Sequence, residues 1–193
     1  MAKPPNKVLL AGAGAMVVLV LLAVGAFTVG PLSGGGIDQP IAFPHDIHAG
    51  TNQIPCMYCH TTADRSVDAG IPPVQTCAGC HIPGGAPLIA ADRPEVQKLI
   101  EYWREQRPIP WERVYKSPDH VRFPHMRHVA AEIECQECHG PVETMGVITE
   151  VYDGRSNQAW LGGLIRPKTM EMGWCINCHQ ERGARIDCFV CHY

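Results

Sequence analysis

The sequence has no phosphate-binding glycine loop, no nucleophile elbow and no basic stripe, so nucleotide-driven catalysis, serine-ester chemistry and nucleic-acid binding have nothing to rest on. It has no charge between Val8 and Val29, and no cysteine near that run to which a lipid could be attached. Uninterrupted stretches are also scarce. With 17 prolines and 19 glycines in 193 residues, long helices and strands are disfavoured. The expected fold is mostly irregular and α-helical with little sheet.

No cysteine lies outside one pattern. Five copies of Cys-x-x-Cys-His account for all ten: Cys56, Cys59 and His60; Cys77, Cys80 and His81; Cys135, Cys138 and His139; Cys175, Cys178 and His179; Cys188, Cys191 and His192. Two thiols at i and i+3 match the two vinyl positions of one porphyrin, and the adjoining imidazole reaches the iron. Zinc or a disulfide framework also uses paired cysteines, but neither asks for a histidine after the second cysteine every time. The pattern predicts five covalently bound haem c groups and electron transfer.

The uncharged run Val8–Val29 is 22 residues long, about 33 Å as a helix, enough to cross a bilayer core. Lys3 and Lys7 precede it, so residues 1–7 are expected inside and the rest outside, on the periplasmic side of a bacterial inner membrane. The competing reading is a cleaved signal peptide, with Val24-Gly25-Ala26 as a small-residue processing site. Ala11 to Ala15 are all small, which suits close approach of another transmembrane helix.

Residues 30–36 read as a flexible link, and 37–193 as the haem domain. That domain offers roughly 31 residues per haem, too few for a conventional core beside each, so the cofactors themselves serve as core. An internal repeat is visible. Phe43-Pro44-His45-x-x-His48 precedes the first motif as Phe123-Pro124-His125-x-x-His128 precedes the third. This divides the domain into two dihaem units, about 43–81 and 123–179, plus a fifth haem at 188–192. Between the units, Pro94 to Glu105 carries Val96, Leu99, Ile100 and Trp103 on one helical face. The stretch from Gly146 to Lys168 reads either as a surface excursion or as a partner contact.

The five histidines outside the motifs, His45, His48, His120, His125 and His128, match the five irons in number. As second axial ligands they leave no iron open to substrate, which suits conduction rather than catalysis. His120 stands outside the repeat. Met170 or Met172 is its rival, since a thioether would raise one haem's potential. Within each repeat, one arrangement sends His45 and His125 to the haem that follows, while His48 and His128 cross to others. Only Tyr193 follows His192, so the fifth haem is expected near a surface.

Phe-Pro-His-x-x-His ahead of Cys-x-x-Cys-His resembles the class III multihaem cytochromes, the c3 and c7 group, in which such histidines are distal ligands. Together with an N-terminal anchor and five motifs, it resembles the pentahaem membrane-anchored cytochrome subunit of alternative complex III, a bacterial quinol:electron-acceptor oxidoreductase. That resemblance implies a non-catalytic electron-transfer subunit working with an iron-sulfur subunit, other membrane components and a monohaem cytochrome c. Two rivals remain: a NapC/NrfH-type membrane-anchored quinol dehydrogenase, a family with four haems, and a multihaem reductase, which needs an open haem position. From Asp38 onward 14 basic residues oppose 19 acidic ones, with no concentrated patch to name a partner.

Overall fold

The computed structural model describes residues 14–21, 36–154 and 169–193. The chain divides into two compact units, Met1–Gly36 and Ile37–Tyr193. In the first, residues 14–21 are helical; the rest of the expected span Val8–Val29, and the link as far as residue 35, lie outside the described residues. Among the described residues no helix is long and apolar enough to cross a membrane. Residues 155–168, most of the expected excursion, also lie outside them.

The second unit is built from short helices joined by irregular chain. Its elements are a π-helical turn at Asp46–Thr51, α1 (Cys56–Cys59), α2 (Val74–His81), α3 (Pro94–Arg104), α4 (His125–Ala130), α5 (Cys135–His139), α6 (Met172–Glu181) and α7 (Cys188–Cys191), with tight 3-10 turns at Pro83–Gly85 and Val142–Thr144. Among the described residues the β-structure noted outside any strand is one isolated antiparallel bridge, Val121 to His192. The expected dearth of sheet is what these residues show.

The longest helix among the described residues, α3, forms for local reasons. Pro94 sits at its first turn, Glu95 faces the positive N-terminal dipole end and Arg104 the negative C-terminal end. It stops one residue earlier than expected, because Gln106 takes φ 52° and the chain then meets Pro108. Leu99 and Ile100 of α3 pack on Val74, Ala78 and Ile82 from α2 and its cap, with Ile41 and Ile109 closing the cluster. Among the described residues this small core adjoins the second Cys-x-x-Cys-His motif, through Cys77 and Ala78. No large side chain among the described residues is fully buried, so apolar packing elsewhere is thin.

Candidate functional site

Each Cys-x-x-Cys pair occupies one helical turn. In α1, α2, α5 and α7 the helix holds little besides its motif, and an extended residue precedes each: Pro55, Pro73, Glu134 and Asp187. One turn at i and i+3 sets both thiols on one face. All ten are free and exposed or half-exposed, so no disulfide framework is formed. Among the described residues no three or more of His, Cys, Asp or Glu converge as a metal cluster, and four-ligand zinc is not provided for. A haem iron needs less, since the porphyrin leaves only two positions for protein.

The motif histidines are oriented by backbone carbonyls. Nδ1 of His60 meets Gly70 O at 2.7 Å, His81 meets Ile89 O at 2.9 Å, His179 meets Arg185 O at 2.7 Å and His192 meets His120 O at 3.2 Å. An imidazole that donates from Nδ1 keeps Nε2 as its lone-pair nitrogen, the atom an iron takes. The remaining motif histidine, His139, is packed instead under the Tyr115 ring, centroids 4.4 Å apart and edge-on. The Tyr115 hydroxyl in turn accepts the Tyr152 N–H at 2.8 Å.

Opposite four of the motif histidines stand four of the others. Ring centroids are 6.2 Å apart for His48 and His81, 6.4 Å for His125 and His139, 6.2 Å for His128 and His179, and 5.5 Å for His120 and His192. Two imidazoles bound to one iron at ~2 Å each have centroids roughly 6 Å apart, so three pairs match and the His120–His192 pair must open slightly. His45 completes the set. Burial holds it below the ordinary histidine value, the Gly146 backbone raises it, and His60 is the first charged neighbour to lower it further. Met170 takes φ 74° ahead of α6 and Met172 is 62% exposed, while the position facing His192 is filled by His120.

The repeated sequence is a repeated structure. Phe43 stacks on His48 at 4.2 Å and meets His45 edge-on at 4.9 Å; Phe123 stacks on His128 at 4.3 Å and meets His125 edge-on at 5.0 Å. Pro44 O accepts from His48 Nδ1 at 2.8 Å, and Pro124 O from His128 Nδ1 at 3.0 Å. Three residues before each following motif the chain turns through the left-handed region, at Gln53 (φ 53°) and Glu132 (φ 55°). One difference breaks the likeness. His125 Nδ1 bonds Val67 O at 2.8 Å, whereas His45 Nδ1 is buried beside the Gly146 backbone without a hydrogen bond as close.

Comparison with known proteins agrees with this arrangement. Residues 121–193, which hold three of the five motifs, match the family described as cytochrome c7 and related cytochrome c. Over 171 residues the chain is 28% identical to the menaquinone reductase, multihaem cytochrome c subunit, of Nitratidesulfovibrio vulgaris strain Hildenborough, covering 80% of this chain and 77% of the relative. The chain is a multihaem cytochrome c. Its role is electron transfer.

Electrostatics in this cytochrome follow from burial around the motifs. Cys77 and Cys138 are pushed up to about 11, chiefly by burial and next by the neighbouring thiols of Cys59 and Cys178 respectively, so both stay neutral thiols at pH 7. Cys59 and Cys175 are also raised by burial, with Cys80 and Cys191 as their first charged neighbours. His139 is lowered to about 4 by burial and then by His125 and His60, which keeps its nitrogen lone pair free of protons. Two contributors carried no motif to reveal them: Tyr115, which packs on His139, and the Val67 carbonyl, which orients His125. The phenylalanines were visible as a repeat, but that each ring touches both histidines of its unit depends on side-chain geometry.

Proposed function

We propose that this cytochrome carries five haem c groups as the membrane-anchored electron-transfer subunit of a bacterial quinol oxidoreductase of the alternative complex III kind. The observation that carries the reading is the pairing of motif and non-motif histidines: three pairs have ring centroids 6.2–6.4 Å apart, the spacing for one iron, a fourth stands at 5.5 Å, and His45 neighbours His60. Cys56, Cys59, Cys77, Cys80, Cys135, Cys138, Cys175, Cys178, Cys188 and Cys191 would form the thioethers. His60, His81, His139, His179 and His192 would be proximal ligands, faced by His45, His48, His125, His128 and His120 respectively. When bound, each haem supplies a one-electron iron couple.

The chain's own residues explain why conduction rather than catalysis is favoured. Nε2 of the motif and non-motif histidines would hold the iron from both sides and leave no position for substrate. Carbonyls on Nδ1 of His48, His60, His81, His125, His128, His179 and His192 hold those rings in place and strengthen their donor character. Helical turns present the thiols along one edge of each site.

The uncharged run Val8–Val29 with Lys3 and Lys7 ahead of it supports a single anchor in the inner membrane, N-terminus inside and the cytochrome domain in the periplasm. An iron-sulfur subunit and a monohaem cytochrome c are the proposed partners. Direction is where the relative favours a second reading, because its name makes it part of a menaquinone reductase, with electrons running towards the quinone. The same file of ligands serves either direction.

The test is purification of the full chain from its membrane with its partners attached. Pyridine haemochromogen analysis should return five haems per chain, and stoichiometric subunits should exchange electrons with menaquinol or menaquinone. The His120→Met variant should replace one bis-imidazole spectrum by a histidine–methionine one. If His120→Met leaves all the spectra unchanged while Met170→Leu alters one, the fifth site is ligated differently.

A further inference from the structure

The two Phe-Pro-His-x-x-His units exchange contacts reciprocally. Carbonyls of Ser66 and Val67 accept the N–H groups of Met126 and His125, each at 3.0 Å, while carbonyls of Met145 and Gly146 accept those of Asp46 and His45 at 2.7 and 3.1 Å. In both cases the accepting residues lie six and seven positions beyond the motif histidine, His60 in one unit and His139 in the other. Each unit thus caps the ligand-bearing turn of the other, which is an approximate two-fold relation. The first and third motifs flank its centre. There the Cys56 and Cys135 thiols are neighbours, and Gly50 abuts the Glu143 carbonyl where any side chain would collide.

From this centre each unit runs outward. On one side His45 and His48, one turn apart and both against Phe43, face His60 and His81, and Cys59 neighbours Cys80 and Cys77. On the other, His125 and His128, both against Phe123, face His139 and His179. The Arg182 guanidinium after α6 grips both oxygens of Glu137 in the third motif, at 2.7 and 2.6 Å. Cys138 neighbours Cys178. Beyond the fourth motif Cys175 neighbours Cys191, and His179 bonds Arg185 O at the root of α7.

We propose that the five attachment sites form one unbranched file in the order second, first, third, fourth, fifth, so that the second and fifth are its two ends. This rests on the five-haem reading and deepens it. The first site in the chain is then interior, and sequence order is not spatial order. Exposed apolar side chains stand at both ends: Leu88 (69% exposed) and Ile89 beside His81, and Phe189 (83%) and Tyr193 (78%) around the fifth motif. One-electron partners meet the protein at these ends and not at the first or third site.

The test uses the haem-loaded full chain in detergent and reads through-space proton contacts between haem substituents by two-dimensional NMR. Contacts are expected for the pairs second–first, first–third, third–fourth and fourth–fifth. A contact between the second site and the fourth or fifth, or none between the first and third, overturns the order. The double variant Cys188→Ala, Cys191→Ala removes only the fifth haem and should delete one inter-haem contact; losing two or more would make the fifth site a branch point. Removing the first haem, with Cys56→Ala and Cys59→Ala, should isolate the second site from the rest. Should that variant fail to fold, the end variant still decides. A haem count other than five in the parent protein would sink the underlying reading, whereas five haems with another contact pattern would sink the order alone.

Discussion

At the scale of single residues, ring planes are the quantity that matters. Facing imidazoles lie within 9° and 15° of parallel for His125–His139 and His120–His192, but are tilted by 56° and 44° for His48–His81 and His128–His179. Near-parallel rings give rhombic low-spin EPR spectra and steeply tilted rings give strongly anisotropic ones. Both types are therefore expected in the oxidised protein. The tilted pairs are those whose non-motif ring stacks on Phe43 or Phe123 at 28°. Phe123→Leu should alter one tilted-type signal, with a smaller change at the neighbouring parallel site and unchanged haem content; EPR identical to the parent's would show that the ring sets no plane. His139 carries the clearest pH consequence. Its folded value of about 4 lies below the free-histidine 6.5, so its neutral form contributes stability in full above about 6.5 that drains away as pH falls towards about 4. Denaturant unfolding of the haem-free chain should show this loss of stability between pH 6.5 and 4, and a pH-independent midpoint would remove His139 as its source.

Helical turns carry the sites, and their ends are set by backbone geometry that the motif does not encode. After His139 the chain takes φ 73°, ψ −173° at Gly140, a region open essentially to glycine, with the Tyr152 ring 2.5 Å and the Met145 methyl 2.8 Å from where a Cβ would stand. Gly140→Ala should therefore cost about 2–4 kcal/mol, combining strain with overpacking. Thermal unfolding checks this, and a Tm equal to the parent's would mean that the turn relaxes freely. Helix α3 was legible from its apolar spacing because it is long enough to show a period. A four-residue turn such as α1 shows none; its existence was implied only by what two thiols at i and i+3 must do.

The whole domain stands on cofactors more than on packed side chains. The apolar cluster between α2 and α3 serves one motif, so with haem bound the remaining described residues would draw their cohesion from thioethers and axial bonds. The proposed saturation of five irons predicts that the ferrous protein binds carbon monoxide at far less than one equivalent per chain. Optical titration measures this, and a full equivalent bound in the native state would reveal an open site and return catalysis to consideration. What the sequence by itself determined was covalent and compositional: five attachment motifs, five further histidines, a duplicated Phe-Pro-His-x-x-His and a run without charge. Those features sit within a few residues of one another, so spacing reports them. Which histidine faces which, and that each unit caps the other, were decided by tertiary structure. These are relations across 14 to 101 positions of chain, from His125 and His139 to Gly146 and His45, and only long-range hydrogen bonding and ring packing bring such residues together.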